Sequence, residues 1–283
     1  MAPILLSYPP TTRTTNNAQN MPPPSTYTFG DSDLAARRLA LVAETFADTS
    51  AAFMREFVAT RPQLAADLGC GPGYTTHLLA DTLEPERTVG FDNSENFLAD
   101  IRTNDSDRVS FHLHDITTAP FPEAPFDLIF SRLVLTHLRD PETAITLWTE
   151  QLRPGGLLLL EEVERIHTKI PALVTYLDIQ QAMLAQQSNQ LYIGPRLDNI
   201  TASGKLHRRS SNVRSLQVPA DRAAAMFHMN LGVWRHNDFV QQTYAPATLD
   251  ALEQDLQTIA QGHADDPPVE WQLRQIVIER HAP

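Results

Sequence analysis

Between residues 64 and 162 five short apolar runs alternate with amphipathic stretches, the spacing of strands joined by helical crossovers. The runs are Leu64–Leu68, Arg87–Asp92, Val109–Ile116, Phe126–Arg132 and Leu157–Glu162, and the unbroken Leu157-Leu158-Leu159-Leu160 marks a strand covered on both faces. An α/β architecture with a parallel sheet follows. Two helices are expected ahead of the first strand. Asp31 or Asp33 caps one through Leu34, Leu39 and Val42, and Asp48-Thr49-Ser50 caps a second through Phe53, Phe57 and Val58 before Arg61-Pro62 ends it. Beyond Glu162 a helical period runs through Leu173, Tyr176-Leu177, Ile179 and Met183-Leu184, and Leu191–Pro195 breaks it. Val213–Val218 alternates as a strand, Asp221 opens a helix through Met226, Phe227, Met229 and Trp234, and Val269–Glu279 alternates as the last strand.

The first strand runs directly into Asp67-Leu-Gly69-Cys-Gly71-Pro-Gly73-Tyr74, a glycine-rich turn that opens a helix. Glycines at alternate positions leave no Cβ between backbone and ligand, and the helix N-terminal amides face whatever lies there. A dinucleotide loop G-x-G-x-x-G needs glycine where this chain has Tyr74, which disfavours NAD. Asp92 closes the second run 19 residues past Gly73, near the ~20-residue interval of a ribose-binding carboxylate.

The spacing Asp67-x-Gly69-x-Gly71-x-Gly73, with the four later runs in register, resembles class I S-adenosylmethionine-dependent methyltransferases, in particular the small-molecule enzymes related to quinone biosynthesis. The resemblance covers roughly residues 64 to 162. It implies a Rossmann-like, doubly wound, seven-stranded sheet in the order 3-2-1-4-5-7-6, with N-terminal helices and an inserted helical cap. It also implies S-adenosyl-L-methionine as cofactor, held by Asp67, Gly69, Gly71, Gly73, Asp92, Asn93, Asp115, Ile116 and Ser131, with Asp115 and Ile116 at the adenine. In such enzymes an aromatic or an arginine from the N-terminal helices reaches the methionine end. Tyr27 and Arg38 are the residues placed to do so here, with a surface tyrosine and a solvated arginine as the plain alternatives.

Methyl transfer is an in-line displacement, so most of the acceleration comes from positioning, and an acceptor that sheds a proton needs a base. His137 follows the fourth strand, at the edge where such sheets bind ligands, and a histidine with a pKa near neutrality suits the task. Its alternative is a packing role near the helix that Asp140 caps and Pro141 starts. Glu162, past the fifth strand, is the second catalytic candidate, and Arg132 and Trp234 are candidates for substrate binding. For Arg132 a structural ion pair is the competing role, and for Trp234 a place in the core stripe of its helix. His112 and His114 share a strand face, but further ligands at suitable spacing are missing and no metal is expected.

Composition narrows the partners. The 283 residues carry 22 Lys and Arg against 34 Asp and Glu, a net charge of -12, with no polybasic run, so nucleic acid is disfavoured and a small-molecule substrate favoured. The single cysteine, Cys70, permits no intrachain disulfide. No stretch approaches the ~18–20 apolar residues of a membrane span, and a cytoplasmic monomer or homodimer is expected. Residues 1–26, rich in Pro, Thr and Asn and free of acids, form a tail expected to be disordered, and Met21 is an alternative start. Residues 27–283 then make one domain: helices over 27–62, a cofactor-binding core over 63–165, and cap and final strands over 166–283. Two alternatives stay open, a protein that uses the bound cofactor for a non-methylating reaction and a non-catalytic binding protein.

Overall fold

The computed structural model describes residues 33–102, 105–201, 206–262 and 266–281. Tyr27, Met21 and the 1–26 tail lie outside the described residues. Seven strands form one sheet in the order β3-β2-β1-β4-β5-β7-β6, the expected order. Strands β1 (Leu64–Leu68), β2 (Arg87–Asp92), β3 (Val109–Leu113), β4 (Phe126–Arg132) and β5 (Leu152–His167) run parallel, while β7 (Val269–Glu279) is antiparallel to both β5 and β6 (His207–Val218).

Alternation along the strands sends neighbouring side chains to opposite faces. Ala66, Leu68, Ile129, Leu158 and Leu160 pack on one face with Ile145 and Trp148 of α4 (Pro141–Glu150) and Leu197 of α6 (Gly194–Thr201). Ala65, Leu128, Phe130 and Leu159 pack on the other with Phe53 and Met54 of α1 (Asp33–Phe57) and Leu79 of α2 (Tyr74–Leu83). The short α3 (Glu95–Ile101) starts at Ser94, whose hydroxyl accepts from the Phe97 N–H, and α4 starts as expected, with Asp140 accepting from the Thr143 N–H and Pro141 in its first turn.

The two N-terminal helices expected from the sequence are one helix of 25 residues. Asp48-Thr49-Ser50 does not interrupt it, because Phe46, Ser50, Phe53 and Met54 all fall on the buried face and the Ser50 hydroxyl is engaged by the sheet rather than by its own backbone. Gly194-Pro195, read as a breaker, opens α6, since proline is tolerated in a first helical turn.

Strand β5 is 16 residues long, and this length shapes the site. Its pairing with β4 ends at Arg132↔Glu161, and the remainder to His167 pairs with β7 alone. The β5–β7–β6 ribbon therefore rises beyond the carboxyl edge of the parallel strands. It carries a second core, in which Val163, Ile166, Trp271 and Leu273 meet α5 (Pro171–Gln186), α7 (Ala220–Trp234), α9 (Pro246–Ile259) and Phe46 of α1. Helix α8 (Asp238–Thr243) closes that layer through Val240. Among the described residues no helix is long and apolar enough to cross a membrane.

Candidate active site

A cavity of about 870 Å³ opens between the carboxyl edge of the sheet, α1 and the raised ribbon. At one end lies the β1–α2 loop. Gly69 and Cys70 donate their N–H groups to the Phe91 carbonyl (2.8 and 3.0 Å), which folds the loop back over β2. Gly69 sits at φ +73°, and a Cβ there would lie 2.4 Å from Val134 Cγ2, so both conformation and space demand glycine. Asp92 crosses the loop: one carboxylate oxygen accepts from the Gly71 N–H at 2.8 Å and the other from the Ser94 N–H at 2.9 Å.

Gly69, Gly71, Asp92, Asn93, Asp115 and Ile116 all line the cavity, as do Arg38, Arg132, His137 and Glu162. Asp115 is exposed and accepts from the backbone N–H and hydroxyl of Thr117 (2.9 and 2.7 Å), while Ile116 is buried beside it. Four expected site residues lie off the cavity wall. Asp67 is buried behind the loop and accepts from the Thr75 and Thr76 hydroxyls at 2.6 and 2.7 Å, so it fixes the first turn of α2. Burial pushes its carboxyl up to about 6 against those two donors. Gly73 caps α2 at φ +84° against the Phe111 ring, and Ser131 donates to the Leu68 carbonyl at 3.1 Å across the β1–β4 pair. Trp234 is enclosed beside Tyr176, with ring centroids 5.5 Å apart, so the core stripe of its helix, not substrate contact, accounts for it.

Glu161 and Glu162 point to opposite faces of β5. Glu161 is fully buried and accepts from the Ser50 hydroxyl and from Gln275 Nε2 (2.6 Å), while Arg132 Nη1 donates to Ser50 Oγ at 3.0 Å. Burial lowers the Arg132 pKa, and the charges of Glu161 and Asp67 oppose that fall. Arg132 thus touches the cavity while bound into a buried polar cluster joining α1, β4 and β5. Glu162 faces the cavity. Its Oε1 accepts from the Val134 and Leu135 N–H groups at 2.7 Å each, and its Oε2 is buried with no hydrogen-bond partner among the described residues. Burial, only partly offset by those donors, raises its pKa to about 8.

His137 ends a single 3-10 turn, Leu135–His137, with its ring on the cavity. Burial, reinforced by the Arg38 guanidinium, drops its pKa to about 3, well below the near-neutral value expected of it. His112 and His114, the pair weighed for metal, bond instead to Glu123 (3.0 Å) and the Thr118 carbonyl (3.1 Å). The far end of the cavity is lined by Phe46, Gln180, Phe227, Asn230 and Trp271; in the sequence Asn230 falls with His228, Trp234 and His236 in one late cluster that could line the cap, and Phe227 in the apolar stripe of the same helix. The signal for Gln180 is its place in the buried stripe Leu173-Leu177-Gln180-Leu184 of α5, where an apolar residue is the default.

Comparison with known proteins adds the family. Residues 66–160 match the methyltransferase domain family. Over that stretch, about a third of its length, the chain is similar to methyltransferase domains. Trans-aconitate 2-methyltransferase of Variovorax paradoxus is 43% identical over 96 residues, 34% of this chain and 36% of that protein. The enzyme of the same name from Azoarcus sp. is 36% identical over 120 residues, 41% of this chain and 47% of that one. The chain therefore aligns with less than half the length of these relatives. Among solved structures, the [4+2]-cyclase SpnF superposes with a TM-score of 0.56 at 16% identity, covering 89% of this chain and 94% of the other. Phosphoethanolamine N-methyltransferase 2 of Haemonchus contortus, solved with S-adenosyl-L-methionine, superposes at 0.51 with 17% identity, covering 87% and 57%. At those identities the likeness is one of fold alone.

Proposed function

We propose that the protein transfers a methyl group from S-adenosyl-L-methionine to a small organic molecule. The observation that carries this is the continuity of the cavity: one space runs from the glycine loop and Asp92 to a chamber walled by Glu162, Phe227, Asn230 and Trp271. Two ligands can meet there end to end, and its volume falls within the roughly 300–1,000 Å³ of small-molecule sites. The donor set fits the cofactor at three points. Asp92 offers carboxylate oxygens to vicinal hydroxyls, Ile116 and Asp115 offer an apolar face and an acceptor to a purine, and Arg38 offers a buried cation to a carboxylate.

The bound cofactor supplies a methyl group already activated by a sulfonium. The chain's own residues align the acceptor, exclude water and receive its proton. Glu162 is the better placed of the two candidate bases. A conjugate acid of pKa about 3 gives His137 little drive to hold a proton, whereas one of about 8 matches Glu162 to a hydroxyl of ordinary acidity. His137, neutral across the working range, acts as a hydrogen-bonding wall near Arg38. Residues 63–165 hold the cofactor and residues from both flanks form the acceptor chamber.

Calorimetry with S-adenosylhomocysteine tests the cofactor, and mass spectrometry of a metabolite pool incubated with methyl-labelled cofactor tests the transfer. Micromolar binding and a product gaining one labelled methyl are expected. Binding of NAD instead, or a changed product without the label, overturns the reading.

A further inference from the structure

The acceptor chamber holds three buried polar atoms with no hydrogen-bond partner among the described residues: Glu162 Oε2, Asn230 Oδ1 and Trp271 Nε1. All three residues line the same cavity. Buried polar groups are nearly always satisfied, and three orphans on residues lining one cavity mark a place where a ligand completes the bonding. Asn230 is 5% exposed and Trp271 7%. The Asn230 amide is fixed, because its Nδ2 donates to the Tyr176 hydroxyl at 2.9 Å, and Tyr176 in turn stacks on Phe227 with ring centroids 4.1 Å apart. Trp271 is fixed by the Phe46 edge at 5.3 Å. The orphaned atoms therefore belong to side chains held by packing, and the surfaces between them are aromatic.

The charges of the chamber argue against a polycarboxylate. If the cofactor's carboxylate occupies Arg38, as the proposed function has it, two arginines remain on the described wall. Arg132 is bonded to Ser50 and faces the charge of Glu161, and Arg139 is exposed at the rim. Glu162, protonated below about pH 8, adds no positive charge that would hold a polycarboxylate. The family match ends at residue 160, so it does not cover Glu162, Asn230 or Trp271.

We propose that the chamber takes an uncharged aromatic molecule bearing a hydroxyl or N–H donor and a separate hydrogen-bond acceptor, with Asn230 receiving the donor and Trp271 Nε1 donating to the acceptor. This rests on the methyltransferase reading, and S-adenosylhomocysteine binding, measured first on each protein, separates failure of that reading from failure of this one. The probes are 7-hydroxycoumarin, which has both groups, coumarin and 7-methoxycoumarin, which lack the donor, and trans-aconitate. Each is titrated at pH 6.5 into the full chain saturated with S-adenosylhomocysteine. The wild type should prefer 7-hydroxycoumarin to the other two coumarins by about tenfold, the value of one well-made hydrogen bond. Asn230→Leu should shrink that preference below about threefold, Asn230→Asp, which keeps an acceptor oxygen, should retain it, and Trp271→Phe should weaken all three coumarins alike. If Asn230→Leu does not fold, Asn230→Ala is read in its place. Tighter binding of trans-aconitate than of any coumarin, no coumarin binding, equal affinity for the three coumarins, or an Asn230 variant lacking the acceptor that keeps the preference would each overturn the proposal.

Discussion

Two residues of the site titrate in opposite directions, and their effects on stability and on rate can be separated. Glu162 has a folded pKa of about 8 against an ordinary 4.5, so the folded protein holds a proton that the unfolded chain releases, and stability falls as pH rises from about 4.5 to 8. His137 has a folded pKa of about 3 against 6.5, so the unfolded chain binds a proton that the fold refuses, and stability is lost as pH falls below about 6.5. The two slopes oppose each other between about 4.5 and 6.5. Above 6.5 the Glu162 slope acts without that counterweight. The melting temperature should therefore decline from pH 6.5 to 8 in the wild type and decline less in Glu162→Gln, a difference that scanning calorimetry across that range would read. For turnover, the rate should climb through an apparent pKa of about 8, and Glu162→Gln should remove that limb and lower the rate roughly 10²–10⁴-fold, the scale of general-base catalysis. His137→Ala should leave the limb in place. Loss of the limb in His137→Ala, with Glu162→Gln retaining it, would return the base to the histidine. Asp92 is argued from bonding rather than titration. Asp92→Ala removes an acceptor that holds Gly71 and Ser94 as well as the expected ribose contact, and should weaken S-adenosylhomocysteine binding by about 1.5–3 kcal/mol in calorimetry.

At the scale of elements, legibility followed periodicity. The five parallel strands and the glycine loop announce themselves because a buried strand has to be apolar and a backbone crossing β2 has to lack side chains. Helix α1 hid its continuity because Ser50, a capping residue by type, spends its hydroxyl on Glu161, 111 residues away. That bond has no local signature. The same reason conceals the lowered pKa of His137: part of it comes from the charge of Arg38, which is distant in sequence. Trp234 misled for the opposite cause, since a large aromatic near a cap looks available until Tyr176 covers it. Gly69→Ala tests the loop as an element. A Cβ there meets Val134 and a positive φ together, so cofactor affinity and melting temperature should both fall. Val134→Ala in the same chain should restore part of the loss by removing the clash, and the φ strain should keep the remainder. Full restoration would show that crowding alone excluded the side chain.

On the scale of the whole molecule, the second core is joined to the sheet through α1 and the ribbon, and Phe46 stands at the junction, buried, edge-on to Trp271 and on the cavity wall. Phe46→Ala should cost about 3–5 kcal/mol in denaturant unfolding, the range of large core truncations, and should loosen coumarin binding while sparing S-adenosylhomocysteine. An equal loss of both ligands would mean that the two ends of the cavity are mechanically one. The arrangement has a consequence for how this chain can change over generations. The proposed cofactor end is built almost wholly from one contiguous stretch, Gly69 to Ile116, under tight backbone constraint, whereas the proposed acceptor end borrows Phe46, Glu162, Phe227, Asn230 and Trp271 from four separate elements. On that reading, substitutions in α5, α7 or the head of β7 can remodel what is recognised without touching the glycine loop proposed to bind the methyl donor. New substrates are thus open to this lineage one side chain at a time, while the donor is inherited as a block.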